Sequence, residues 1–597
     1  MTAPGTTGTR HGPALVGTGQ GPAPEDGYTA WYRQARALSK SPRRAPARRC
    51  VRLAVLASYT TDFLADLLPV AADRNGLAVE FAATPFAQLE QVLLAPQPVL
   101  GPGDYAVLSG TAEDLTGGVD DVVKRWTSLW NAADLLGVRV LQMGFAPPAV
   151  DPYGSTAWRT PQSLSGIARE VNTALAKEAA DRAIFIDVEQ LAAQVGLDRW
   201  EDRRSWYRIR QPYAHDSLPW LACAIADALA ADQGLNRRCV VVDLDDTLWG
   251  GSIGEVGIDG VRVGTGAGGE PFAAFQTYLR GLADRGVALA VASKNDRDLA
   301  LQALSEVPGM VLRPAHFAHV SADWRPKSEQ VAEIAATLRL GLCSLVFADD
   351  NPAEVAQVAA ALPEVYSVCL PSQPSLYPAA LASVPGLRAG ALSDADRGRA
   401  DSYRGLAAAA ELADRSENLA DFLRGLDMNG TLRPVSEATL ARAAQLTAKT
   451  NQFNLTTRRR TQPEILALMR DPSWYLATLS LRDRFADHGE VGLVAAYQQH
   501  GTAELDTLLL SCRVIGRTAE QCLLFAASAW ARERGCERLI GRYLPTSRNA
   551  LVRDLYPGFG FTPRPDDGPG MAFVFDLTAD PVPTSAYIDL TEDGHAR

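Results

Sequence analysis

Three apolar runs in the middle of the chain each end in a short polar string: CVVVDLDDT, ALAVASKN and LVFADDN. The first supplies Asp243, Asp245 and Thr247, the second Ser293, and the third Asp349 and Asp350; Lys327 lies between the last two runs, in WRPKS. If the runs are neighbouring strands of one parallel sheet, these side chains converge at its carboxyl edge, where such sheets bind ligands. Carboxylates, a hydroxyl and an amine gathered in one place are the residue types used in phosphoryl transfer, which needs a nucleophile, a proton carrier and neutralisation of the transferred charge. A charged residue after a buried strand is also an ordinary turn residue, and a single DxD would be read either way. Four such elements in order favour a site.

The elements that must position these groups form an alternating pattern. The segment from Arg238 reads as strand and helix in turn through GVALAVASKND and SLVFADDNP, which makes residues 237–372 an α/β unit, followed by a linker over 373–392. Before it, LAVLA turns at Ser58 into a helical pattern of Phe63, Leu64, Leu67 and Leu68, and YAVLSG, VRVLQM and AIFIDV alternate with helical stretches. Residues 49–236 therefore read as a second α/β layer unit. From about Ser393 helices come first, and then WYLATLSLRDRF, GEVGLVAAYQQ and ELDTLLLSCRVIG read as strands, so 393–585 is predicted to be α+β, with a tail over 586–597. The Gly-, Thr- and Pro-rich start, 1–48, is predicted to be a disordered leader.

Composition limits the partners. The 597-residue chain is 47% hydrophobic and 21% charged, with formal net charge -11 and pI near 5.3. That balance does not advertise the basic face a nucleic acid needs, and no apolar run is long enough for a membrane span, so neither partner is expected and the protein is expected in the cytoplasm. Eight cysteines without CxxC pairs or interleaved histidines argue against a zinc site or a disulfide framework.

DLDDT, Ser293, the lysine of WRPKS and the Asp349–Asp350 pair together resemble motifs I to IV of the haloacid-dehalogenase superfamily. The resemblance implies that Asp243 is the nucleophile, forming an aspartyl phosphate, and Asp245 the acid and base. It implies that Ser293 and Lys327 bind the phosphoryl group and that Mg²⁺ is held by Asp243, the backbone of Asp245, and Asp349 or Asp350. Thr247 would bind a phosphoryl oxygen or cap the following turn. Fifty residues separate Asp243 from Ser293 and thirty-four separate Ser293 from Lys327, which leaves no room for a cap domain. The site should be open, with GGSIGEVGIDGVRVG as a small flap, and an open site favours a phosphate carried on something large.

The longer strings VVDLDDTLWGGSIGEVGIDG, FQTYLRGLADRGVALAVASKND and FADDNPAE resemble the FkbH-like glyceryl transferase/phosphatases of polyketide biosynthesis, as do KTNQFNLTTRR, LRDRFADHGEVG, LLSCRVIGRTAE, SYTTDFLADLLP and DRRSWYRIRQPY outside the middle unit. The resemblance covers about residues 49–578. It implies a protein that takes the glyceryl unit of 1,3-bisphosphoglycerate, removes its phosphate and loads it as a thioester on the phosphopantetheine arm of an acyl carrier protein. Alternatives are another phosphorylated acyl donor, or a scaffold that binds carrier proteins. Departures from the family pattern are Asp246 where Asn is usual, RTAE where RGVE is usual, and FADH where FGDN is usual.

Arg513, Gly516, Arg517 and Thr518 resemble the pantetheine-phosphate loop of GNAT acyltransferases, in which a helix start cradles phosphate; Asn549, Tyr556 and Gly560-Phe561 resemble the end of that fold. Cys512, just before the loop, is either an acyl-enzyme nucleophile or a small buried apolar residue. His488, beside Asp487, could act as a base or be a solvated loop residue. Lys449, Asn451 and Gln452 could contact the glyceryl or phosphate group or merely end a helix. In the first unit the family resembles an SGNH hydrolase; Ser58 would be its nucleophile or a helix N-cap, and His215 and Asp216 could complete a triad, but with no convincing oxyanion segment a docking or structural role is favoured. The fold class expected is multidomain α/β: an SGNH-like α/β domain, a cap-less haloacid-dehalogenase domain and a GNAT-like α+β domain.

Overall fold

The computed structural model describes residues 22–40, 49–387 and 399–593, apart from 85, 96–97, 180–181, 417, 451, 547–548, 566–569 and 579–580. The first sheet contains β1 (Arg49–Ala57), β2 (Leu77–Phe81), β3 (Tyr105–Ser109), β4 (Arg139–Met143) and β5 (Ala183–Ile186), all parallel in the order β2-β1-β3-β4-β5. Helices cover both faces, which is why a central strand such as YAVLS is buried at every position.

Part of the expected leader is ordered. Residues Gly27–Lys40 form a helix whose Trp31 is fully buried and donates its indole N–H to the Ala23 carbonyl at 2.8 Å. Trp31 and Tyr28 pack into the same core as Leu64, Leu67 and Leu221, so two aromatic residues in a polar, Gly-rich segment are enough to dock it.

The second sheet contains β6 (Cys239–Val242), β7 (Ala288–Ser293), β8 (His319–Ala322), β9 (Leu345–Asp349) and β10 (Tyr366–Cys369), parallel in the order β10-β9-β6-β7-β8. The stretch predicted to be a linker belongs to its core: Tyr377–Ala382 is helical, and Tyr377, Leu381, Val384 and Leu387 are buried against the sheet. Their spacing is an apolar helical stripe that Pro, Ser and Gly in the same segment obscure. GGSIGEVGIDG forms helical turns, Ile253–Gly260, broken at Gly257 with φ 65°, and the segment is closed by an antiparallel bridge between Gly250 and Arg262. On the other face of the sheet the helix Arg399–Arg415 buries Tyr403 and Leu406 against Val241 and Phe347, so the lead-in to the last region packs on the middle one.

The third sheet is mixed. It contains β11 (Met428–Pro434), β12 (Phe453–Asn454), β13 (Trp474–Arg482), β14 (Asp487–Gln499), β15 (Thr502–Leu510), β16 (Arg538–Tyr543), β17 (Thr562–Arg564), β18 (Met571–Asp576) and β19 (Ile588–Glu592), in the order β17-β18-β16-β15-β14-β13-β11-β19 with β12 on β15. Pairing is antiparallel except for β15–β16 and β11–β19. The helix Ala519–Glu533 makes the crossover that the parallel β15–β16 pair requires. The expected tail is in part the edge strand β19, in register with Met428 to Leu432. The protein is thus a multidomain α/β structure, and no helix among the described residues is long and apolar enough to cross a membrane.

Candidate active site

Asp243 is the first residue beyond β6, Ser293 the last of β7 and Asp349 the last of β9, so three adjacent strands deliver them to one edge. Lys327 comes from the first position of the helix Lys327–Thr337 and reaches back beneath that edge. Its amine lies 2.9 Å from an Asp243 oxygen and 2.6 Å from an Asp349 oxygen, with the lysine only 4% exposed. Asp349 also accepts the Asn351 N–H at 2.9 Å. Thr247 donates to Asp350 at 3.0 Å, which gives its hydroxyl a role in orienting that carboxylate.

Asp245 is held apart from this cluster but wired to it. Its carboxylate accepts the Trp249 indole N–H at 2.9 Å, the Ile253 N–H at 3.1 Å and the Asn295 amide at 3.1 Å, and the same Asn295 amide lies 3.2 Å from the Ser293 hydroxyl. Ser293 in turn hydrogen-bonds Asp243. The chain turns just after Asp245, at Asp246, whose φ of 51° is a left-handed conformation that both Asp and Asn tolerate. Its carboxylate accepts the Gly251 N–H at 2.7 Å.

Three carboxylates, those of Asp243, Asp349 and Asp350, place oxygens within 4.8 Å of one another. Burial, with Asp349 alongside, pushes the Asp243 carboxyl up to about 6 against the pull of Lys327 and Ser293. Burial also raises Asp349 against Lys327, and Asp350 against its bond to Thr247. Burial alone would lower the Lys327 ammonium, but its two carboxylate partners reverse this and raise it. One ammonium cannot neutralise three carboxylates, two of them buried and the third, Asp350, half-buried. One Asp243 oxygen makes no hydrogen bond and has the amine of Lys327 2.9 Å away. An electron-rich oxygen cluster of this kind fits a hard divalent cation. Between Asp243 and Ser293 the described residues form only the turns at Ile253–Gly260 and the crossover helix Glu270–Asp284, so no cap domain stands over the cluster.

At the second centre, Cys512 is half-buried at the start of a one-turn 3₁₀ helix that follows β15 directly. The loop's arginines face inward. Arg513 donates to the Ser402 hydroxyl at 2.9 Å and to Ser511 at 3.2 Å, which ties the loop to the helix Arg399–Arg415. Arg517 is fully buried and ion-paired with Asp483, and its guanidinium lies 2.9 Å from His488. Both side chains are thus engaged within the fold: a buried guanidinium needs a counter-ion, and Asp483 supplies it to Arg517. Gly516 remains exposed with φ 76°, and Thr518, φ 61°, bonds Ser585 at 2.5 Å.

His488 is neither solvated nor paired with the exposed Asp487; its ring lies 2.9 Å from Asp483. Burial pushes the imidazole down and the charge of Arg517 adds to this. Asp483 itself is held down to about 2: burial raises it, but the bond to His488 and the charge of Arg517 outweigh burial. Asn549 is a buried bracket, donating to the carbonyls of Asn454 and Leu544 at 2.9 Å each, while Tyr556 packs against Phe561 and Phe573. Asn451 and the side chain of Lys449 lie outside the described residues, and Gln452 is exposed.

Ser58 donates to Asp114 at 2.5 Å, whereas His215 meets the rings of Phe63 and Tyr28 edge-on, with ring centroids at 4.8 and 5.2 Å, and Asp216 accepts the Tyr28 N–H at 2.9 Å. Among the described residues the Ser58 hydroxyl makes no hydrogen bond to His215 or Asp216.

Reading the sequence by motif passed over Asn295, Gln330, Arg339 and Asp483. Asn295 stands in SKN, two residues from Ser293, and Asp483 in LRDRFADHGEVG; Gln330 and Arg339 carry no motif signal and are recognised only by what they touch.

The chain matches no protein-family model and no curated protein. Among solved structures it is similar to the N-terminal part of the protein BF1531 from Bacteroides fragilis, which contains a phosphatase domain and was crystallised with Mg: 24% identity, TM-score 0.54, 60% of this chain and 97% of that one. That likeness concerns the fold. It is also similar, at TM-score 0.20 and 14% identity over 26% of this chain and 96% of that one, to the ribosomal-protein-S18-alanine N-acetyltransferase of Escherichia coli. The PaiA N-acetyltransferase of Thermoplasma acidophilum, solved with coenzyme A, gives TM-score 0.19 and 16% identity over 25% of this chain and 99% of that one. Likenesses this slight carry no weight for function.

Proposed function

We propose that the protein is a cytoplasmic glyceryl transferase/phosphatase that converts the glyceryl unit of 1,3-bisphosphoglycerate into a glyceryl thioester on an acyl carrier protein for polyketide biosynthesis. The observation that carries the phosphatase half is the Asp243–Lys327–Asp349 cluster at an uncapped sheet edge, with Asp350 alongside. The sequence likeness to FkbH-like proteins supplies the donor and the carrier.

In this reading an Asp243 oxygen attacks the phosphorus of a phosphomonoester, the bond from phosphorus to the leaving oxygen breaks, and Asp245 gives that oxygen its proton. Water then attacks the aspartyl phosphate, Asp245 takes the water's proton, and inorganic phosphate leaves. Lys327 and Ser293 orient the transferred group and offset its charge. Mg²⁺, held by Asp243, Asp349 and Asp350, would neutralise the remaining negative charge, as the Mg in the BF1531 structure supports.

Acyl transfer is assigned to Cys512. Its thiolate would attack the acyl phosphate carbon, expel inorganic phosphate and form a thioester, from which the carrier's pantetheine thiol takes the acyl group. With Arg513 and Arg517 turned inward, contact with the arm's phosphate falls to the backbone around Gly516 and Thr518.

Intact-protein mass spectrometry of the chain mixed with freshly made 1,3-bisphosphoglycerate, Mg²⁺ and a phosphopantetheinylated carrier protein tests the reading. A glyceryl mass on the carrier with wild type, absent with Cys512→Ala, supports both halves. Loading that survives the variant removes Cys512 as the nucleophile, and no adduct on either protein rejects the donor.

A further inference from the structure

The carboxylate of Asp245 sits in a socket of three donors. Its Oδ1 accepts both the Trp249 indole N–H at 2.9 Å and the Ile253 N–H at 3.1 Å, while Oδ2 accepts the Asn295 amide at 3.1 Å. A carboxylate oxygen offers two lone pairs. Among the described residues Oδ1 therefore has both engaged, and Oδ2 keeps one open.

Buried side chains hold this socket in shape. Trp249 is fully buried, and the turn that carries it is fixed by Gln276, also fully buried, whose amide donates to the Leu248 carbonyl at 2.7 Å. The side-chain oxygen of Gln276 accepts the N–H groups of Val311 and Leu312 at 2.9 Å each, which ties the turn to the chain beyond the helix Arg297–Glu306. Asn295, 5% exposed, stands two residues past the end of β7.

Asn295 also touches the phosphoryl cluster. The same amide nitrogen lies 3.2 Å from the Ser293 hydroxyl, so Oδ2 of Asp245 and that hydroxyl stand no further apart than two hydrogen bonds laid end to end. Ser293 in turn bonds Asp243. One amide thus sets the spacing between the nucleophile's partner and Asp245. Oδ1 is turned the other way, onto the indole and the start of the turns at Ile253–Gly260.

We propose that Asn295 and Trp249 are positioning residues, which hold the Asp245 carboxylate so that Oδ2 faces the leaving oxygen of the phosphate ester. This rests on the phosphatase half of the glyceryl transferase/phosphatase reading. In the first step a bond from an Asp243 oxygen to phosphorus forms, the bond from phosphorus to the leaving oxygen breaks, and the proton passes from Oδ2 to that oxygen. In the second, the oxygen of water bonds phosphorus, the aspartyl bond breaks and a proton of the water returns to Oδ2. Loss of the Asn295 amide leaves the carboxylate free to rotate, and a proton carrier out of place slows the step that needs the proton.

The test measures kcat/KM for phosphate release from p-nitrophenyl phosphate and from phenyl phosphate, with Mg²⁺, in wild type, Asp245→Asn, Asn295→Ala and Trp249→Phe. The two esters share a ring, but nitrophenolate leaves without a proton and phenolate needs one, and kcat/KM reads the barrier up to that cleavage. Asn295→Ala and Trp249→Phe are expected to lose at least about tenfold more on phenyl phosphate than on p-nitrophenyl phosphate, a smaller form of the selective loss in Asp245→Asn. A merely structural role lowers both esters alike, and turnover of p-nitrophenyl phosphate shows that each variant is folded. Equal losses on the two esters in either variant, while Asp245→Asn discriminates, overturn the role of the residue replaced and leave the phosphatase reading standing. Equal losses in Asp245→Asn itself overturn Asp245 as the proton donor, and the positioning roles with it.

Discussion

Lys327 and Arg339 bracket one helix and serve two centres: the amine of Lys327 lies 2.6 Å from Asp349 in the phosphoryl cluster, and the guanidinium of Arg339 holds the carbonyl of Ile515, three residues after Cys512. Burial and nearby Arg517 pull the Arg339 guanidinium down while Cys512 pulls it up, which places the middle unit's cation within electrostatic reach of the thiol. Arg339→Ala should loosen the Cys512 loop and slow carrier loading about tenfold, the worth of one charge-assisted hydrogen bond, with hydrolysis of p-nitrophenyl phosphate kept. A time course of carrier mass checks this; loading at the wild-type rate would leave Arg339 with no part in the transfer.

Lys327 is the ammonium that two buried carboxylates, Asp243 and Asp349, share, with half-buried Asp350 alongside. Lys327→Met should abolish phosphate release and destabilise the middle unit by about 3 kcal/mol or more, since removing one partner leaves buried charge uncompensated. Denaturant unfolding followed alongside phosphate release measures both effects.

Crowded carboxylates also make the unit's stability depend on a divalent cation. Adding Mg²⁺ to chelator-treated protein should raise its melting temperature and restore phosphate release, and Asp349→Asn should blunt both responses. A melting temperature indifferent to Mg²⁺ would mean that the cluster does not hold the ion.

Arg517 distinguishes a structural pair from a ligand contact. Arg517→Ala should destabilise the last unit by about 3 kcal/mol, because Asp483 stays buried without its counter-ion. Asp483 is held down to about 2 from an ordinary value of 3.8, so its contribution is complete above about pH 4 and is lost as pH falls through 2. Acid unfolding of wild type and Asp483→Asn should therefore differ in that window. A fully stable Arg517→Ala with a raised KM for the carrier would return Arg517 to the ligand.

The phosphoryl centre was legible because its aspartates and Ser293 sit at strand ends, where an apolar run stops at a polar residue, and Lys327, at a helix start, stands in WRPKS. The three α/β and α+β regions followed from periodicity. What escaped has physical reasons. Trp31 and the Tyr377–Leu387 stripe are short apolar patterns inside Gly-, Pro- and Ser-rich stretches, and local composition hides a segment whose structure comes from docking onto a neighbour. Arg517 looks like a loop cation until Asp483, thirty-four residues earlier in the chain, is seen beside it. Gln330 and Asn295 act by holding other groups, and a residue that positions leaves no spacing rule in the sequence.

The most direct measurement is acid-quenched capture of phosphoenzyme during turnover of p-nitrophenyl phosphate, comparing wild type with Asp243→Asn and Asp245→Asn by peptide mapping. Phosphate on Asp243, accumulating in Asp245→Asn and absent from Asp243→Asn together with phosphate release, is the predicted result. Undiminished phosphate release by a folded Asp243→Asn would contradict the account.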